Sequence, residues 1–356
     1  MKKLINSRII FNFVILQVLQ NLVYGLTYKG YITNDFDITV QIIEKSLVSN
    51  NFSIDSPTFY LIPSLLRITN QDIYLLFIYI FSQLIIYLIC VHIDFLGNIS
   101  SLFLFSGWVI TISWFMGYPD VVSILLVILI MKNILHKKIS LSTFIWILFL
   151  VINHYALAAF LLIIVLILVH NDLKIKFTIY SISGFAIGRF LVQIYLNYIE
   201  FNGRTRLRFI FNDGVLETAV ALASNNLIYL IISGTLGLTV LFFIFSYFEK
   251  FYYNRNLYIA YLIALIGTAL SLDSSRIFSI LVLPIIIFML YRFQDIVKLE
   301  IKTQNLLYFV IAITSIFIGE NHVYGSIYFN SPNPTEPSIY NLITNLINSL
   351  MKNIWP

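Results

Sequence analysis

Charge is the scarcest thing in this chain. Of 356 residues only 11% are Asp, Glu, Lys or Arg, while 59% are hydrophobic, against about 25% charged in an ordinary soluble domain. So few charges cannot cover the surface of a soluble fold of this size. That excludes a soluble enzyme, a disordered chain and a nucleic-acid-binding domain. Cysteine is nearly absent: Cys90 stands alone inside an apolar run, which excludes an internal disulfide and a zinc cluster. The net charge of +5 comes without clustered basic runs, so it reads as lysines in inner loops rather than a DNA-binding face. No Gly-x-x-x-x-Gly-Lys loop, His-Glu-x-x-His helix or haem cysteine motif occurs, and the two halves do not repeat. The abundance of Ile, Asn, Lys, Phe and Tyr reflects an AT-rich genome.

What is present is apolar helix. Runs long enough for a bilayer, or nearly so, fall at about 9–28, 72–92, 100–117, 119–135, 141–153, 156–169, 177–198, 227–247, 257–272, 277–291 and 304–319. The first run follows Lys2, Lys3 and Arg8 and lacks a small-x-small cleavage site, so it reads as a start-transfer helix with a cytoplasmic N-terminus. Gly117 and Pro119 split 100–135 into two helices. The run 141–169 carries Asn153-His154-Tyr155 in its middle. As two helices each half rises only about 20 Å; as one it reaches about 43 Å. Lys137 and Lys138 before it and Lys174 and Lys176 after it share one side only if the run folds back, so the positive-inside rule selects a hairpin. The expected fold is thus an all-α polytopic membrane protein of about eleven transmembrane or re-entrant helices. Residues 1–319 form one transmembrane domain, with 29–71 as a first outer loop of interfacial helices and 320–356 as an outer C-terminal tail. A helix over 340–351 is expected in that tail.

With this sidedness most acidic residues gather on the outer face. Asn34-Asp35-Phe36-Asp37 precedes an amphipathic stretch, 38–47, then an Asn50-Asn51 turn and a second short helix opened by Pro57. Asp35 and Asp37 can serve as general base or as oxygen ligands of a divalent cation such as Mg or Mn; alternatively Asp37 is the N-cap of the interfacial helix. Asp120 either caps its helix or orients an acceptor hydroxyl or a metal. His154 sits at the hairpin tip, as a satisfied polar side chain or as a partner for a phosphate or Asp120. Arg204, Arg206 and Arg208 suit either a phosphate ligand or anionic headgroups. Asp273 and Arg276 are three apart, so they pair with each other, or Arg276 holds a lipid phosphate. Arg189 lies inside a span and either snorkels or pairs with an acid. Glu217 completes the outer set.

The first outer loop resembles that of the GT-C superfamily, the polytopic glycosyltransferases that use polyprenyl-phosphate sugars. The resemblance rests on an acid at Asp37, a helix ending at Leu47, Asn50-Asn51, and Pro57-Thr58-Phe59-Tyr60, and spans about 30–170; the second proline of the pattern is Thr58 here. It implies that Asp37, with Asp35 as second choice, is the base or a metal ligand, and it supports a role for Asp120 at its helix start. A sugar would pass from a polyprenyl-phosphate donor to a glycan, lipid or protein acceptor on the outer face of a bacterial plasma (inner) membrane. Asp37 would deprotonate the acceptor, while Arg204, Arg206, Arg276, Asp273 and His154 would serve the donor phosphate. Two other readings fit the same pattern. One is a polymerase of O-antigen or exopolysaccharide repeat units carried on lipid pyrophosphate. The other is a non-enzymatic flippase or transporter of lipid-linked oligosaccharides.

Overall fold

A computed structural model describes residues 6–23, 31–45, 56–201, 215–235, 238, 251–271, 273–296, 309–311, 313, 322–324 and 327–329. It is helical apart from one small β-hairpin among the described residues. The helices are α1 (Ser7–Val18, continued by a π turn to Val23), α2 (Tyr31–Glu44), α3 (Thr58–Leu65), α4 (Gln71–Ile93), α5 (Trp108–Trp114), α6 (Asp120–Leu135), α7 (Leu141–Leu168), α8 (Asn171–Tyr198), α9 (Val215–Asn225), α10 (Leu227–Thr235), α11 (Phe251–Ala269), α12 (Ser274–Leu281) and α13 (Leu283–Ile296). Three helical stretches are long and apolar enough to cross a membrane: Gln71–Phe105, Leu141–Leu168 and Asn171–Tyr198.

The boundaries follow local chemistry. Asn70 caps α4 by accepting from the Ile73 amide at 3.0 Å. Gly117 turns the chain between α5 and α6 at φ 93°, a conformation that side chains with a Cβ resist. Pro119 then precedes α6 at its fixed φ. The expected 100–117 segment is not one helix. Asp94–Phe105 is a tight 3-10 run broken at Gly97 (φ 61°), and α5 starts only after Ser106-Gly107. The expected 277–291 segment is also two helices, α12 and α13. Pro284 has no N–H to donate and so falls in the first turn of α13.

α7 is a hairpin, although every residue in it has a helical neighbour. His154 departs from helical geometry (φ −161°, ψ 78°). The packing shows how far the chain turns there. A Cβ on Gly184 would come within 2.7 Å of Ile147, and one on Gly188 within 2.8 Å of Val151. Both pairs are 37 residues apart (184 − 147 and 188 − 151), so α8 runs parallel to the first half of α7. The rings of Phe144 and Tyr180, 5.9 Å apart, continue the same register. Since α8 starts two residues after α7 ends, the second half of α7 must travel back. Each half rises about 20 Å, short of a ~30 Å hydrocarbon core.

The core follows this arrangement. Ile147, Val151, Leu161 and Val165 of α7 join Ile124, Val127 and Met131 of α6 and Leu281, Ile285 and Ile286 of α12 and α13 in one buried cluster. A second, small cluster seats α2 and α3 on α8: Ile38, Tyr60, Val192, Leu196 and Ile199, with Ile152 of α7 against it. In contrast, α8 turns Ile179, Ile182, Phe190 and Ile194 outward. Two strands, β1 (His322–Tyr324) and β2 (Ile327–Phe329), pair antiparallel, and β1 lies against α12. Nothing in the local residue pattern marks them as strands. The expected helix at 340–351 lies outside the described residues.

Candidate functional site

The polar side chains at one end of the bundle come from three helix starts. The first is α6, whose first residue is Asp120. A carboxylate in the first turn complements the partial positive charge of the helix N-terminus, but Asp120 is far from a solvated cap: it is only 1% exposed. The second start is the returning half of α7. Asn153 ends the outgoing half and donates from Nδ2 to the Pro119 carbonyl at 2.7 Å and to Ser123 Oγ at 2.9 Å. His154 Nδ1 accepts from the Leu157 amide at 3.3 Å, so the imidazole caps the returning helix. The third is α12. Asp273 precedes it, and Arg276 lies within its first turn; each is 7% exposed.

Arg276 joins the first and third starts. Its Nη1 donates to Asp120 Oδ2 at 3.0 Å. Its Nε meets Asp273 Oδ2 in the i,i+3 pair that the spacing suggested. The guanidinium also lies over the Tyr118 ring at 4.4 Å and the Phe115 ring at 5.4 Å, so the turn before α6 supplies two π faces to the same cation. The helix that carries Arg276 is itself held on several sides. Ser279 Oγ is 2.7 Å from Thr111 Oγ1 of α5, and the Phe278 ring packs on Gly234 of α10, where a Cβ would fall 2.2 Å from it.

Two carboxylates around one guanidinium make a group that is formally −1 and almost sealed from solvent. Burying charge is costly unless each member is paired, and removing one partner strands the rest. This stoichiometry also bears on Arg276 as a phosphate dock. Its positive charge is already matched by two carboxylates, and a phosphate would have to displace one of them.

Asp37 lies elsewhere. α2 starts at Tyr31, seven residues before the amphipathic stretch read from the sequence, because 31–44 contains neither Gly nor Pro to stop it. Asp37 is therefore inside the helix and exposed rather than its N-cap, while Ile38 and Thr39 next to it are buried. Positions 35 and 37 are two apart on this helix, and i,i+2 positions do not face each other. No cluster of three potential metal ligands occurs among the described residues. α2 nevertheless sits at the same end as the buried triad, because Ile152, which packs against its cluster, directly precedes Asn153.

Of the other candidates, Glu217 is exposed on α9. Arg204, Arg206 and Arg208 lie outside the described residues, as does the Asp35 side chain. The sequence reading missed two features. The Asp120–Arg276 pair spans 156 residues and has no local signature. Asn153 was read as part of a turn, and its bond to Pro119 was not foreseen; a polar residue next to His154 in an apolar run was the available signal. No family model, no curated protein and no solved structure matches this chain.

Proposed function

We propose that the chain is a GT-C-like membrane glycosyltransferase that moves a sugar from a polyprenyl-phosphate donor to a glycan, lipid or protein acceptor. In this reading it has about eleven transmembrane or re-entrant segments, a cytoplasmic N-terminus, an outer C-terminus and an active face on the outside of a bacterial plasma membrane. One observation carries the reading: Asp120, Asp273 and Arg276 form a buried ionic triad at the end of the bundle where the first-loop helix α2 packs beside the hairpin tip. Ionisable residues at membrane depth are costly and mark functional sites. Their placement at one end suits chemistry at a lipid–water interface.

In the mechanism, Asp37 takes the proton of the acceptor hydroxyl as that oxygen attacks the anomeric carbon. The bond to the phosphate oxygen breaks, the configuration inverts, and polyprenyl phosphate leaves with its negative charge met by arginine of the 204–208 segment. Asp120, held by Arg276, fixes the start of α6 beneath the site. No step requires a metal ion.

Membranes containing the full chain, given a panel of polyprenyl-monophosphate sugars, test this directly. Asp37→Ala should lower transfer by roughly a hundredfold or more, the scale of a lost general base, while the protein still elutes as a folded species. Full transfer by folded Asp37→Ala sinks the assignment of the base. Turnover only of repeat units on lipid pyrophosphate would identify the polymerase instead.

A further inference from the structure

Arg189 is a basic residue inside a long apolar helix that neither the triad nor the proposed mechanism uses. It lies in the interior of α8, nine residues before that helix ends at Tyr198. Its neighbours Ile182, Ile187, Phe190 and Leu191 are exposed apolar side chains, the face such a helix turns to lipid. Arginine keeps its charge in a protein. A side chain of this kind usually escapes by extending toward the headgroups. Arg189 does not extend. Its guanidinium folds onto the ring of buried Tyr155 at 4.4 Å, one residue past the hairpin turn. Its Nη1 is buried without a hydrogen-bond acceptor, and no carboxylate pairs with it among the described residues. The close approach of α7 and α8 at Gly184 and Gly188 fixes both partners of this stack.

A guanidinium that lies over an aromatic ring can still offer N–H groups for the paired hydrogen bonds that grip a phosphate. We infer that Arg189, seated on Tyr155, binds the phosphate of a lipid whose hydrocarbon chain lies along the apolar face of α8. The contrast with Arg276 supports the choice: Arg276 holds two carboxylates, whereas Arg189 holds none. That the lipid is the polyprenyl-phosphate donor rests on the glycosyltransferase reading; a phospholipid headgroup would offer the same chemistry. Phosphate binding itself rests only on the stack and the unmet donor.

The full chain, purified and delipidated in a maltoside detergent, decides the matter without turnover. Polyprenyl monophosphate, polyprenol of the same length and phosphatidylglycerol are titrated separately, with the thermal unfolding midpoint and bound lipid as readouts. Polyprenyl monophosphate should raise the midpoint and polyprenol should not. Arg189→Gln should weaken phosphate-lipid binding about ten- to a hundredfold, the range for a hydrogen bond to a charged group, and Arg189→Lys should retain part of it. An equal, Arg189-dependent response to phosphatidylglycerol supports a general lipid-phosphate site. An equal response to polyprenol, or binding unaffected by either substitution, overturns the inference. If Arg189→Gln does not fold, the lysine variant and the polyprenol comparison still decide. Because Asp37→Ala should abolish transfer yet leave this binding intact, failure of the enzymatic reading and failure of the binding site are separable.

Discussion

At one end of α6, Arg8 reaches Asp94 at 3.4 Å with side chains 33% and 27% exposed; at the other, Arg276 meets Asp120 at 3.0 Å with side chains 8% and 2% exposed. The first pair belongs to an end built of solvent-edge contacts: the His136 ring against Phe95 and Tyr291, and Asn133 donating to Ser142 and Thr143. The second belongs to an end where helix starts, aromatic faces and ionic groups interlock. Exposed pairs gain little because water screens them, whereas buried pairs are costly to assemble and costlier to break. A chain this poor in charge places three of its few ionic side chains where removal of any one is expensive. That is an arrangement stability alone does not require, since a well-packed apolar core would do as well.

Arg276→Gln is the substitution with the largest expected effect. It leaves Asp120 and Asp273 buried without their cation and should cost about 3–5 kcal/mol, read as a large fall in the unfolding midpoint in detergent. Adding Asp120→Asn should recover part of the loss. If the single variant melts with the wild type, the triad is not ionic in the folded protein and the contrast between the ends collapses. Arg8→Gln, the matching truncation at the other end, should cost at most about 1 kcal/mol by the same measurement. A loss equal to that of Arg276→Gln would erase the distinction.

The smallest effect concerns His136. Burial first, then the charges of Lys132 and Lys138, push its pKa below the usual histidine value. The unfolded chain therefore takes up the proton more readily, so this contribution to stability is present above about pH 6.5 and is lost as pH falls through the folded value. His136→Phe keeps a ring against Phe95 and Tyr291 and cannot protonate. Between about pH 7.5 and about pH 5.5 the wild type should lose more stability than this variant. Equal losses would show that the ring carries no such linkage.

Much of the local structure was legible because its causes are local. Gly117 and Pro119 marked a turn, Asp273 and Arg276 stood at pairing distance on a helix, and the lysines flanking 141–169 argued for a fold-back that the α7–α8 register bears out. The failures are of two kinds. Helix extent was misread where no residue forbids continuation, as at Tyr31–Phe36, or where one proline shifts a boundary, as at Pro284. The pairing of Asp120 with Arg276 was illegible for a deeper reason. Each residue had an adequate local explanation, a helix cap for one and an i,i+3 partner for the other, and nothing in a single sequence links positions brought together only by the packing of α5, α6 and α12.

Under the proposed membrane topology, the fold-back at His154 also bears on how the chain is inserted. An insertion machine reading 141–168 meets 28 apolar positions in a row, long enough to be threaded across once. Only Asn153 and His154, with the lysines on either flank, direct it to return. Everything synthesised later inherits that decision, including the helix that carries Arg276. In the proposed membrane topology, a single crossing here would place Arg276 on the opposite side from Asp120, where the ionic triad could not assemble.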